Sequence, residues 1–245
     1  MTMKTIVIII IILITKLFIV TPVSANEIIT LNTGIREPFT NSKRSGFVDL
    51  LVQEIFRRID IDAKVIVYQN AAKALANANL GIDDGAALRI KGLEKKFPNL
   101  IRVPEKIMDN DFVAYSIIKP IVTDRMSVLD EARIAYINGW QIFQNNLSGH
   151  NFTTRTKTAL QMFDLLTAGK VDFILYERWQ GLWHARQLGL TIQVSEPPLA
   201  KREMFMYLNN KHSGLVKKTS TALLEMKTDG TYQKIFDRTL GQLHQ

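Results

Sequence analysis

The chain has 245 residues, with 31 Lys and Arg against 23 Asp and Glu, a net charge of +8, and no cysteine. Without cysteine there is no disulfide framework, no thiolate metal site and no lipid-acceptor Cys. The basic residues are scattered in pairs (Arg57-Arg58, Lys95-Lys96, Lys201-Arg202, Lys217-Lys218) with no basic–aromatic stripe. That pattern excludes nucleic acid as the expected partner and leaves a solvated surface, or a field that favours anionic solutes or an anionic membrane.

The N-terminus reads as an export signal, with Lys4 as the charged region, Ile6 to Ile14 as the apolar region and Val23-Ser24-Ala25 as a small-residue cleavage site before Asn26. Lys16 breaks the apolar run, which then falls short of the about 20 apolar residues of a spanning helix; an uncleaved anchor is the alternative. Residues 1–25 are therefore predicted to be a cleavable signal peptide and the mature chain to be periplasmic. A mature chain of roughly 220 residues has room for one large domain or two small lobes.

Strand and helix signals then alternate. Ile28 to Leu31 reads as a strand, followed by a turn-rich stretch with Gly34, Pro38 and Asn41-Ser42. Gly46 to Ile59 reads as an amphipathic helix with Leu50, Leu51, Ile55 and Ile59 on one face. Lys64 to Tyr68 alternates like a strand, Ala71 to Asn79 is an Ala-rich helix stopping at Gly81, and Gly85 to Leu88 is a short strand. This βαβαβ order predicts a mainly parallel sheet wrapped by helices.

A second unit of the same kind follows. Ile134 to Ile137 is a strand, Asn138-Gly139 a turn and Trp140 to Leu147 a helix. Thr158 to Ala168 is a helix with Ala159, Met162, Phe163 and Leu166 inward and Gly169 as its C-cap. Val171 to Leu175 has the apolar pattern of a strand buried on both faces, and Met204 to Leu208 is a final strand. Leu215, Thr219, Ala222, Leu223 and Met226 recur on one helix face up to Thr228-Asp229-Gly230, and a short helix then turns Tyr232, Ile235 and Phe236 inward.

Signals for catalysis are weak. There is no Gly-x-Ser-x-Gly elbow, no phosphate-cradling loop and no His-Glu-x-x-His, and His150, His184, His212 and His244 lack ligand spacing. No catalytic residue, metal or cofactor is assigned. Binding signals are better. Arg89 follows the strand Gly85 to Leu88, and open α/β sheets gather ligands at the carboxyl ends of their strands. Its fork grips a carboxylate bidentately, unless it pairs with a neighbouring acid such as Glu94. Gly139-Trp140 opens a helix, whose free N–H groups form an anion site, with Trp140 as a pocket wall or a core residue. Glu177 could hold an ammonium group or simply start a helix, and Tyr176 offers an aromatic face. Phe39, after Pro38, is a further candidate.

The closing stretch, Lys227-Thr-Asp229-Gly230-Thr-Tyr232 between two helices, resembles the end of bacterial extracellular solute-binding proteins of the amino-acid-binding family (family 3). Pro38-Phe39 with Gly46-Phe47 and Asp49-Leu50 resembles that family's first ligand loop and helix, and Gly169-Lys-Val-Asp172 with Glu177 resembles its second-lobe segment, where the final acid binds the ligand amino group. The resemblance spans the mature chain, with one departure. The family's Thr-Pro-x-Arg is absent, the chain reads Asp84-Gly85-Ala-Ala-Leu-Arg89-Ile-Lys-Gly92, and Arg89 is an approximate stand-in for the carboxylate-gripping Arg.

The resemblance implies an α/β, two-lobed periplasmic-binding-protein fold of type II with a two-crossing hinge. Lobe 1 is expected at 26–109 and 203–245 and lobe 2 at 110–202, with crossings near Met108 to Asp111 and Ala200 to Glu203. It further implies a monomer that binds a small polar solute, an amino acid or related acid, between Arg89 and Gly139, Trp140 and Glu177, for an inner-membrane ABC permease. A membrane sensor as partner, and a dehydratase on the same scaffold, are the alternatives.

Overall fold

The structure, a computed structural model, describes residues 28–118 and 129–244, so the expected signal peptide lies outside the described residues. The first half contains β1 (Ile29–Thr33), α1 (Phe47–Arg57), β2 (Ala63–Val67), α2 (Ala71–Asn79) and β3 (Gly85–Ile90). β1 lies between β2 and β3, parallel to both. The start of α1 is fixed by Asp49, whose carboxylate accepts from the N–H groups of Gly46 and Asn41 at 3.2 and 3.0 Å. The buried face of α1 is wider than the predicted stripe. Phe47, Val48, Leu51, Val52, Ile55 and Phe56 are all buried, whereas Leu50 is only partly covered and Ile59 lies beyond the last turn.

The second half repeats the plan with β6 (Ile134–Ile137), α3 (Gln141–Asn146), β7 (Thr153–Thr156), α4 (Ala159–Thr167), β8 (Phe173–Glu177) and α5 (Arg178–Gln187). β6 lies between β7 and β8, parallel to both. Two long strands join the halves: β5 (Met108–Ser116) and β10 (Ala200–Asn209). They run antiparallel, with Ala200 opposite Phe112, Arg202 opposite Asn110 and Met204 opposite Met108. β10 also pairs with β3, and β5 with β8. The short strands β4 (Leu100–Arg102) and β9 (Gln193–Val194) flank β10 and β5, and among the described residues all ten strands form one sheet.

Successive side chains of a strand point to opposite faces, and this sorts the charges of the joining strands. Asn110, Phe112 and Arg202 share one face. Asp109, Asp111, Lys201 and Glu203 take the other, where Lys106 bonds Asp109 at 2.9 Å and Arg178 bonds Asp111 at 3.2 Å.

The closing helices α6 (Val216–Thr228) and α7 (Thr231–Thr239) return to the first half. Leu223, Met226 and Ile235 are buried in the same core as Phe47, Leu51 and Ile55 of α1. The Phe47 ring meets Tyr232 and Phe236 edge-on at 5.7 and 6.0 Å, a favoured aromatic geometry. Arg58 ties the junction down through Asp229 at 2.7 Å. The segment that carries the family resemblance thus completes the core begun by the first helix.

Candidate functional site

Where β5 and β10 cross between the halves, a cleft of about 550 Å³ opens on the face that carries Asn110, Phe112 and Arg202. The first half contributes Gly34, Ile35, Arg89 and Ile90, and the second contributes Gly139, Trp140, Gln141, Ile142, Asn145, Asn146 and Gln180. The volume suits a small solute.

Arg89 lies within β3, one residue before its end, not just past it as the sequence suggested. Its Nε and Nη2 are buried without a hydrogen-bond partner. Glu94, the alternative partner, instead lies against Arg102 at 3.3 Å. Desolvation pulls the Arg89 guanidinium down to about 10, so it stays charged at neutral pH. A buried cation with no counter-charge is costly, and a carboxylate placed in the cleft would supply what it lacks.

Gly139 and Trp140 reach the same cleft. Gly139 sits at φ +92°, a left-handed conformation that glycine adopts without strain. The predicted anion site at this helix start is only partly available. α3 begins at Gln141, and the Trp140 N–H is already committed to the Ile137 carbonyl at 3.3 Å. The Trp140 ring stacks parallel to Phe143 at 6.0 Å and tilts over Tyr176 at 4.8 Å, so it is both a core residue and a wall.

Three predicted site residues are not brought into the lining. Phe39 is 1% exposed and packs in the core of the first half. Tyr176 is buried behind Trp140, and burial raises its hydroxyl well above the ordinary tyrosine range. Glu177 is 1% exposed and caps α5, accepting from Trp179 N–H at 3.1 Å and Gln180 N–H at 2.8 Å. Burial pushes its carboxyl up to about 8, against the lowering effect of those two donors. It is the helix-start acid of the alternative reading, but a buried one.

Sequence reasoning missed Asn110, Gln180 and Arg202. Arg202 was hidden in the exposed pair Lys201-Arg202, although strand alternation sends the two to opposite faces. Its Nη1 donates to the Lys201 carbonyl at 2.8 Å, and among the described residues it forms no ion pair. Among the described residues no Asp, Glu or His lines the cleft. A second cavity, about 560 Å³, is lined by Arg133, Asp172 and neighbours at the far end of the second half, and no candidate residue reaches it. Among the described residues no group of acids and histidines could hold a metal ion, and no helix is long and apolar enough to cross a membrane.

No family model and no curated protein sequence matches the chain. Solved structures do. The GluR0 ligand-binding core from Nostoc punctiforme in complex with L-glutamate shares 20% identity at a TM-score of 0.68, covering 86% of this chain and 98% of that one. A histidine kinase sensor domain with similarity to periplasmic binding proteins shares 14% at 0.68, with 87% and 96% covered. An ancestral cationic amino acid solute-binding protein shares 14% at 0.71, with 87% and 95% covered. At these identities the likeness is one of fold: the chain has the two-lobed, type II periplasmic-binding-protein architecture.

Proposed function

We propose that the chain captures a small solute bearing a carboxylate in the cleft between its two lobes. The observation that carries this reading is Arg89, a buried guanidinium with two unpartnered nitrogens at the edge of a solute-sized cleft. A bound carboxylate forms charge-assisted, bidentate bonds with such a fork. Trp140 and Phe112 give the solute apolar walls, and the free amides of Asn110 and Gln180 give it polar contacts. The lobes divide in this reading at 26–109 with 203–245, and at 110–202, so that β5 and β10 are the hinge. Contacts to Arg89 from one lobe and to Gly139-Trp140 from the other are complete only when the cleft is closed, which drives closure.

The structural neighbours named above include a glutamate-bound receptor core, a sensor domain and a solute-binding protein. They support binding as the activity. In this reading the chain works in the periplasm, as a monomer, and hands its ligand to an ABC permease, as the family resemblance implies. Presentation to a membrane sensor has the histidine kinase domain in its favour. Among the described residues Glu177 and the histidines stay out of the cleft lining, and the dehydratase alternative has no specific observation in its favour.

The test is a thermal-shift screen of the mature chain against amino acids, organic acids and short peptides. A ligand that binds only the native state raises Tm by an amount that grows with the logarithm of its concentration over Kd. A carboxylate-bearing solute that shifts Tm supports the reading, and a panel without any shift overturns it.

A further inference from the structure

The cleft has a feature that capture of a single carboxylate does not use. Its floor is the front face of the joining strands, and that face carries Arg202 and no acid. All four neighbouring charges, Asp109, Asp111, Lys201 and Glu203, fall on the back face by strand alternation. There they neutralise one another and their surroundings, through Lys106–Asp109, Arg178–Asp111 and Lys201–Asp111 at 2.9, 3.2 and 3.8 Å. Arg202 is left at the cleft with only a backbone carbonyl for its guanidinium. Arg89 reaches the same cleft from the neighbouring strand β3. Two arginine side chains from neighbouring strands thus line one cleft of about 550 Å³.

The rest of the lining adds neutral amides, from Asn110, Gln141, Asn145, Asn146 and Gln180, and no carboxylate. The one acid expected to face the ligand, Glu177, spends both oxygens on the start of α5. Among the described residues the cleft lining is thus doubly cationic, with no acid to balance the charge.

We infer that the ligand is a small dicarboxylate, with Arg89 holding one carboxylate and Arg202, from the hinge, the other. This rests on the proposed capture of a carboxylate solute and names its class. Because Arg202 belongs to the crossing strand, its bond to the ligand ties the hinge itself to occupancy of the cleft.

The experiment is calorimetric titration of the mature chain with malonate, succinate, glutarate and adipate, each beside its monoamide. The monoamide keeps length and shape and removes one negative charge. At least one diacid is expected to bind about tenfold or more tightly than its monoamide, since one charge-assisted bond becomes a neutral one. Arg202→Gln should bring that diacid down to the level of its monoamide, and Arg202→Lys should restore part of the difference. Lys201→Gln, on the back face, should leave the ratio as it is. Diacid and monoamide binding alike, or a ratio that Arg202→Gln does not move, overturns the dicarboxylate and leaves carboxylate capture standing. If no diacid, no monoamide and no other carboxylate in the thermal-shift panel binds, both readings fall.

Discussion

Arg89 and Glu177 occupy matching places in the two halves. Each sits at the carboxyl end of a strand, β3 or β8, each is largely buried, and each was expected to hold one end of a zwitterion. Their surroundings differ. Glu177 has the N–H groups of the second and third residues of its own helix, Trp179 and Gln180, on its oxygens. Arg89 caps no helix, forms no ion pair among the described residues, and two of its nitrogens have no hydrogen-bond partner. A buried charged group that the chain satisfies by itself is part of the scaffold. One that the chain leaves unsatisfied holds a place for something the chain does not contain. In the proposed reading this difference gives Glu177 to the fold and Arg89 to the ligand.

The largest expected effect tests the scaffold side. The Glu177 carboxyl is held at about 8 in the native state against an ordinary value of 4.5. Between those two values the native chain keeps a proton that the unfolded chain has lost. Stability therefore falls as pH rises through this window, by about 1.4 kcal/mol per pH unit, and levels off above it. Below pH 4.5 both states hold the proton and the group contributes no slope. Denaturant unfolding from pH 4 to 9 should show this fall in the natural chain, and Glu177→Gln, neutral throughout, should flatten it. Equal slopes in the two chains would return Glu177 to the list of ionised ligand groups.

Next comes the ligand side. Arg89→Met removes a buried charge without a partner and leaves a side chain of similar length. It should raise the stability of the ligand-free protein by on the order of 1–3 kcal/mol while weakening solute binding about 100-fold or more. A group that stabilises the apo fold would give the opposite sign, so apo melting and titration together decide. Trp140→Ala should have a smaller effect on binding, about tenfold, because it removes a wall and not a charge. Its loss of the Phe143 and Tyr176 contacts should still lower stability by about 2–3 kcal/mol.

How much of this was legible in the sequence depended on whether local pattern or long-range pairing decides an element. α4 buries Ala159, Met162, Phe163 and Leu166, the four residues that helical spacing picked out. α2 has its predicted bounds, because the Asn70 cap and a glycine after the last turn are local signals. β5 was passed over as strand, since Asp109, Asn110 and Asp111 disfavour β structure on propensity. Its pairing with β10 and β8 comes from distant chain. α5 entered the reading only as the helix that Glu177 might start, for a related reason. It has no apolar stripe and carries Gly181 in its interior, where a Cβ would run into the Tyr115 ring that packs against it. The site divided likewise. Of the cleft lining, Arg89 was reachable from the rule that strand ends gather ligands, and Gly139 and Trp140 from the rule that helix starts bind anions. Arg202 needed the register of two strands, one of which was not seen.

The smallest effect sharpens the contrast between satisfied groups. Asn70 caps α2 as Glu177 caps α5, with its side-chain oxygen accepting from the N–H groups of Ala72 and Lys73 at 2.9 and 3.0 Å. It is neutral and exposed, so water can replace the bonds it makes. Asn70→Ala should cost about 1 kcal/mol, the usual worth of such a cap. The loss should be the same at pH 5 and pH 9 and should leave solute affinity as it was. Glu177→Ala, measured beside it, strips two buried donors of their acceptor. Its cost at pH 5 should be the larger of the two and should shrink by pH 9, where the natural residue already bears the expense of a buried charge. Equal losses at both positions and both pH values would mean that burial adds nothing to the Glu177 cap, and the line drawn between a scaffold acid and a ligand-seeking arginine would lose its physical basis.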